Sequence, residues 1–448
     1  MKKVLKWIAL LVLVLVVLPV VVVLAINTVD ETLDPKPAAA GEPRAPTVPD
    51  ADNGYFALLA MGAADGADGT AYAKAWLAEA RAAAKENRSE KRPEVKRAKR
   101  PDICDAFQKP CLAAVQDAAA DLPGKLDAYK EDLDRYEKLL ASHAYEEVLD
   151  YPMRMDGRLP NYAPVMAAQR AYLTRTALLL QAGKIDEALS ALERDIAFQR
   201  MMLGGARTVI SKMVATANTM RDLAFIADLL QTRAAELKPH ASRIAQMVKP
   251  IAPEALRLDA AMDAEFGLAK WAMQNPTAGG MEDEVPQWYE GIALKLFHKT
   301  NASINQYYSL HIQRLEALRK PPGMLLVEKA APVQGFELSR ILDYVYNPAG
   351  KILLEIGSPS YVSYALRLHD LDAYNRLVGL GVELVAADIA VEGIAEAVAK
   401  SDARFHDPYT GKAMAWDAGT RQLSFKPSNA LVQRKPFNLD KDRVVLRL

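Results

Sequence analysis

The order of apolar and polar residues divides the chain into three parts. An uninterrupted apolar run from Trp7 to Ile26 comes first, then a proline-rich stretch, then a long series of amphipathic segments. The run is 20 residues long, and about 20 apolar residues cross a bilayer core as a helix. Beyond the proline-rich stretch the period is helical. Leu126, Tyr129, Leu133, Tyr136 and Leu140 stand three and four apart with charges between them, and Ile210, Met213, Ala217, Met220, Ala224 and Ala227 repeat the pattern. Apolar side chains at that spacing share one face of a helix, and the abundant alanine favours the same state. Breaks fall at Gly204-Gly205, at residues 275–280, at Pro321-Pro322-Gly323 and at Gly357-Ser358-Pro359. Alternation of period two comes only near the end. There Met414 and Trp416, then Leu423 and Phe425, flank the turn residues Asp417 to Thr420. Gly419 is free to take positive φ, so 413–425 predicts a small hairpin.

The predicted fold is mainly α: an N-terminal transmembrane helix, a multi-helix periplasmic body and a small C-terminal β-hairpin. Residues 1–26 form the cytoplasmic tip and anchor and 27–53 a proline-rich linker. The helical body runs over 54–330, and 331–448 is a C-terminal helical region closed by the hairpin. Lys2, Lys3 and Lys6 precede the apolar run, and lysines set orientation, so the N-terminus is expected in the cytoplasm of a bacterium and the body in its periplasm. A cleaved signal peptide ending near Val23-Leu24-Ala25 is the alternative, although its apolar core is usually shorter. The linker would act as a stiff spacer. Lys+Arg and Asp+Glu are both 56, which argues against nucleic acid as a partner. The expected partners are the membrane and another protein of the envelope.

Cys104 and Cys111 are the only cysteines. An oxidising compartment favours their pairing. On a continuous helix they would stand about 10.5 Å apart by rise, too far for a disulfide, so Pro110 predicts a bent segment. A metal pair is the weaker alternative. The basic run Arg88 to Arg100 reads as a solvated surface, or as a contact for an anionic partner.

Residues 171–196 resemble a tetratricopeptide repeat. Tyr172 and Leu179 match the large positions of its first helix, Gly183 its turn, and Ala188 and Leu192 its second helix; Arg175 and Thr176 depart from it. No second copy follows, so the resemblance implies a helical hairpin without an array. The phrase Asp407-Pro408-Tyr409-Thr410-Gly411-Lys412 resembles a tail of uncharacterised bacterial envelope proteins, where it closes a helical region.

Candidate chemistry is sparse. Of the four Gly-Lys pairs none continues into the Ser or Thr of a phosphate loop. His369-Asp370 resembles the central pair of all-helical metal phosphohydrolases. That resemblance implies His311 and Asp388 or Asp407 as further ligands. The structural alternative places Asp370 on an apolar stripe with Leu366, Ala373 and Leu377, paired with Arg367, and His311 among apolar neighbours. Ser358 and Ser360 read as helix caps. The chain is therefore expected to bind or scaffold, with no cofactor, no metal and no catalysis. A periplasmic hydrolase using His369, Asp370 and His311 is the alternative. The segment 406–416 is read as a turn that locks Trp416 and Phe425 onto helices at 360–399.

Overall fold

In the computed structural model, residues 13–92, 95–276, 288–329, 343–356 and 361–448 are described, with Val4, Lys6, Trp7 and Leu11 before them. A π-helical stretch at Leu13–Val17 leads into α1, Leu18–Ile26. The apolar run Trp7–Ile26 lies partly outside the described residues. Among those described, no helix is long and apolar enough to cross a membrane.

The body contains α2 (Gly54–Ala60), α3 (Gly69–Glu86), α4 (Cys111–Asp117), α5 (Lys130–Leu140), α6 (Ala163–Gln181), α7 (Ile185–Gly205) and α8 (Val209–Leu237). There follow α9 (Asp259–Gln274), α10 (Trp288–Phe297), α11 (Thr300–Leu318), α12 (Pro322–Lys329), α13 (Pro348–Ile356), α14 (Val362–Ala386) and α15 (Val391–Ala399). Helix makes up 62% of the chain, so the mainly α class holds. The axis of the fold is α8, in which every residue from Val214 to Leu230 is buried. It packs on α7 and α14, with α6 also against it. Glu147, itself buried, accepts hydrogen bonds from the backbone N–H groups of Arg207 and Thr208, at 2.7 and 2.8 Å, where α8 begins. A carboxylate there meets the unpaired N–H groups and the positive end of the helix dipole.

The tetratricopeptide-like stretch is a helical hairpin. Gly183, at φ +73°, turns α6 into α7, and Tyr172, Ala188 and Leu192 are buried. The stripe from Leu126 to Leu140 is divided, because a short helix, Leu122–Asp127, ends before α5 starts. One buried cluster runs from Tyr55 to Leu446, crossing the expected division at residue 330. A second, smaller cluster joins Phe266, Met273, Ile304, Tyr307 and Leu354.

The expected C-terminal hairpin is half of a larger sheet. β1 (Ala415–Asp417) and β2 (Gln422–Phe425) pair with Trp416 opposite Leu423. β3 (Leu439–Asp440) and β4 (Arg443–Arg447) complete an antiparallel sheet of order β1-β2-β4-β3. Its inner face, Leu423, Phe425, Val444 and Leu446, is buried against α14 and α8. Trp416 is only half-buried, and its indole N–H has no partner. Phe425 is therefore the stronger lock of the two.

Two stretches differ from expectation because polar side chains hold them down. The proline-rich segment does not stand off as a spacer. Asp30 accepts from the backbone N–H groups of Asn301 and Ala302, at 3.0 and 3.2 Å, at the start of α11. Glu146 accepts from Thr47 N and Oγ1, at 2.7 and 2.9 Å. In the basic run the arginines are spent on the body's carboxylates. Arg97 and Arg100 both pair with buried Asp132, and Arg92 lies 3.6 Å over the Trp76 ring. Cys104 and Cys111 are at disulfide distance, with Cα atoms 5.8 Å apart. The chain bends between them and restarts as α4 after Pro110.

One set of variants and one reduction test this packing by chemical denaturation. Phe425→Ala should cost about 3–5 kcal/mol, Trp416→Ala less, and Lys412→Ala almost nothing; equal losses for all three would refute the sheet's orientation. Reducing the cysteine pair should lower stability by about 2.5 kcal/mol on the chain-entropy estimate for a loop of this length.

Candidate functional site

The tail phrase shapes one wall of a cleft. Asp407 ties its own turn: its Oδ1 accepts from Tyr409 N at 2.9 Å and its carbonyl from Gly411 N at 2.8 Å. Gly411 sits at φ +67°, a conformation in which glycine has no steric penalty. Both ring nitrogens of His406 face backbone carbonyls, of Gly411 and Ser401, each at 3.2 Å. Tyr409 donates its hydroxyl to Asp370 Oδ1 at 2.6 Å. A Cβ on Gly323 would come within 2.7 Å of the Tyr409 carbonyl, so the break at Pro321-Pro322-Gly323 admits this loop.

Behind the loop lies an open cleft of about 670 Å³. Its walls come from Leu256 and Arg257, from Arg319 and Lys320 at the end of α11, from His369, Asp372 and Arg376 on α14, and from His406 and Asp407. The charged groups engage one another. Arg376 donates to Asp372 Oδ2 at 2.9 Å and to the His406 carbonyl at 3.3 Å. Arg257 binds Asp259 at 2.7 Å, and Arg319 binds the same carboxylate. Burial pushes the Asp372 carboxyl up, while Arg376 pulls it back. Burial, and then the charge of Arg376, press the His369 imidazole down to about 4. It is therefore neutral at pH 7.

The structure does not gather the phosphohydrolase set. His369 lines the cleft, whereas Asp370 does not and is turned to Tyr409 and Ser428. Asp370 is fully buried and also accepts from Ser428 N at 2.8 Å and Ser428 Oγ at 2.6 Å. Arg367, expected as its partner, lays its guanidinium 5.3 Å over the Tyr364 ring. His311 packs in the second cluster, 5.1 Å from the Phe266 ring, and burial lowers its pKa. Asp388 pairs with Lys238 at 2.6 Å. Among the described residues no group of three or more His, Cys, Asp or Glu side chains could hold a metal. Lys412 is exposed and does not line the cleft. Ser358 and Ser360 lie outside the described residues.

Sequence reasoning missed Arg257, Arg319, Lys320, Asp372 and Arg376; the four-residue spacing of Asp372 and Arg376 was the available signal. It also missed a buried carboxyl pair. Asp195 of α7 and Asp222 of α8 interact, and burial raises both pKa values. Tyr136 and Gln199 donate to Asp195 Oδ1 at 2.7 and 3.0 Å, and Gln169 donates to Asp222 Oδ1 at 3.0 Å. The site is closed on all sides, since both aspartates are fully buried. Comparison with protein-family models, with curated proteins and with solved structures found no match.

The depressed pKa of His369 has a consequence for stability. The unfolded chain takes up a proton near the ordinary histidine value, about 6.5, while the folded chain resists until about 4. Its stabilising contribution is thus complete above the unfolded value and is lost as pH falls towards the folded one. The loss is on the order of 3 kcal/mol. The raised carboxyl pair acts with the opposite sign and offsets part of it. Denaturation at pH 7 and at pH 4.5 (about two units below the unfolded value) should show a smaller loss for His369→Gln than for the parent. An equal loss would show that this imidazole does not carry the effect.

Proposed function

We propose that the chain is a membrane-tethered helical binding module of a bacterial envelope, with its body on the periplasmic side. On this reading the cleft around Arg376 receives an anionic segment of a partner. Three features support the tether. Lysines precede the apolar run. Val20, Val21, Val22 and Leu24 of α1 are all exposed, as on a helix that is apolar all round and needs an apolar medium. A cysteine pair at disulfide distance suits an oxidising compartment.

The observation that carries the binding reading is the state of the cleft's charged groups. Arg257, Arg319 and Arg376 already hold carboxylates, His406 is spent on carbonyls and Asp407 on its own turn. Groups fixed in this way present a preorganised, net cationic surface. A partner carboxylate or phosphate then needs no rearrangement of the wall, which favours recognition. The hydrolase reading keeps one supporting feature, the neutral His369 opening on the cleft.

Three measurements test the proposal. A reporter that works only in the periplasm should be active when fused after Leu448; activity of a cytoplasm-only reporter would overturn the topology. A photocrosslinker at Ala403, on the cleft wall, should trap a partner in intact cells, and Arg376→Glu should abolish the adduct. The same adduct from exposed Met155, away from the cleft lining, would sink the assignment. Turnover of a phosphomonoester or carboxylic ester that is lost in His369→Gln, at unchanged melting temperature, would instead favour the hydrolase.

A further inference from the structure

The end of the apolar helix is clasped to the body. Asn27, the residue after α1, is fully buried. Its amide donates to the carbonyls of Val23 and Val345, at 2.8 and 2.7 Å, and its Oδ1 accepts from Asn347 N at 2.8 Å. Asn347 is buried as well and stands at φ +54°, a left-handed conformation that asparagine tolerates better than most residues. Its own side chain accepts from Lys299 N at 2.7 Å and donates to Ser303 Oγ at 2.9 Å. Two asparagines thus tie the last turn of α1 to the start of α11 and to the residue before α13. Buried amides with several partners each do not swivel, because every lost bond would leave an unpaired polar group.

α13 begins at Pro348, next to the clasp. Its Leu354 side chain packs into the second core cluster. On the other side Ile352 and Leu353 stand exposed, at 48% and 44%. They lie five and six residues along the chain from Asn347 of the clasp, about 7.5–9 Å by helix rise. Ile26 is the last residue of the apolar run, so Asn27 marks the level where the hydrocarbon core would end. One polar layer of a bilayer is about 5–8 Å deep. Whichever way α13 points, its exposed apolar pair stays within about 9 Å of the clasp along the membrane normal, comparable with the depth of one such layer. Lys295 of neighbouring α10 is exposed as well, as suits anionic headgroups. Asp30 close by is exposed and accepts from the N–H groups at the start of α11.

We infer that α13 is a second membrane contact, an interfacial helix that sets Ile352 and Leu353 into the headgroup layer beside the anchor. A helix with one packed face and one apolar outer edge suits that position. This rests on the reading of α1 as a membrane anchor, and the clasp carries that anchor's position over to α13.

Depth-dependent quenching tests it on the full chain in vesicles of phosphatidylethanolamine with a minor fraction of phosphatidylglycerol. The native cysteines are paired, so a single introduced thiol takes the fluorophore. Label at Val22→Cys should be quenched by lipids carrying the quencher deep in the acyl chain. Label at Leu353→Cys should be quenched by lipids carrying it near the headgroup, and label at Met155→Cys by neither. Quenching at the Val22 site with the Leu353 site behaving like Met155 would overturn the interfacial helix and leave the anchor standing. Absence of quenching at the Val22 site would overturn the anchor and this inference with it. Asn27→Ala should reduce quenching at the Leu353 site several-fold and leave the Val22 site unchanged; no effect at the Leu353 site would show that the clasp does not position α13.

Discussion

Arg221 lies in the middle of α8, where no face of the helix reaches water. A buried guanidinium without a counter-charge is strongly unfavourable, and removing one partner of such a pair typically costs about 3–5 kcal/mol. Its counter-charge is Asp105, at 3.1 Å. Asp105 belongs to the loop that Cys104 and Cys111 close. The same loop delivers Leu112 N to Asp228 of α8 at 2.9 Å, and Phe107 O to Phe437 N at 2.8 Å. The cross-linked loop therefore neutralises the central helix, satisfies one of its carboxylates and receives the segment that leads into the C-terminal sheet.

The remaining polar groups of α8 fix how it sits among its neighbours. Asn218 bonds to Gln199 of α7, and Asp222 bonds to Gln169 of α6. Alanine-rich helices packed only through small apolar side chains could slip by a turn at modest cost. A slip here would leave amides and carboxyls unpaired in a medium of low dielectric, where each is expensive. Polar pairing supplies the register that the apolar faces leave under-determined.

How much of this was legible in the sequence follows from where the information resides. The helices at α6, α7, α8 and α14 were readable because their apolar faces repeat locally. That α8 is buried on every side was not, since Thr216, Asn218, Thr219 and Asp222 look like a solvated face; the two threonines bond back to carbonyls of α8 itself, and only other helices bring the partners of Asn218 and Asp222. Residues 27–53 read as a spacer because proline dominates the composition. What holds them is a set of single bonds from Asn27, Asp30 and Thr47, and such bonds have no period. β3 has only two residues, and β4, although longer than β1 and β2, takes its place by non-local pairing with β2. The cleft draws on four separate stretches, near 256, 319, 372 and 407, so no local motif could announce it. The His369-Asp370 dipeptide carries no local sign that one residue faces the cleft and the other the core.

The docking of residues 28–53 along the body also fixes an address. A flexible tether of that length would let the body wander over roughly 28 Å. A cleft on such a tether would sample every height and heading in that volume, and its encounters would depend on local concentration alone. Here Asn27 is bound to Val345 and Asn347, Asp30 to Asn301, and Thr47 to Glu146. With α1 set in a bilayer, the cleft would stand at a single elevation and face a single direction. A partner would then be selected by the altitude at which it presents its charge as much as by the charge itself.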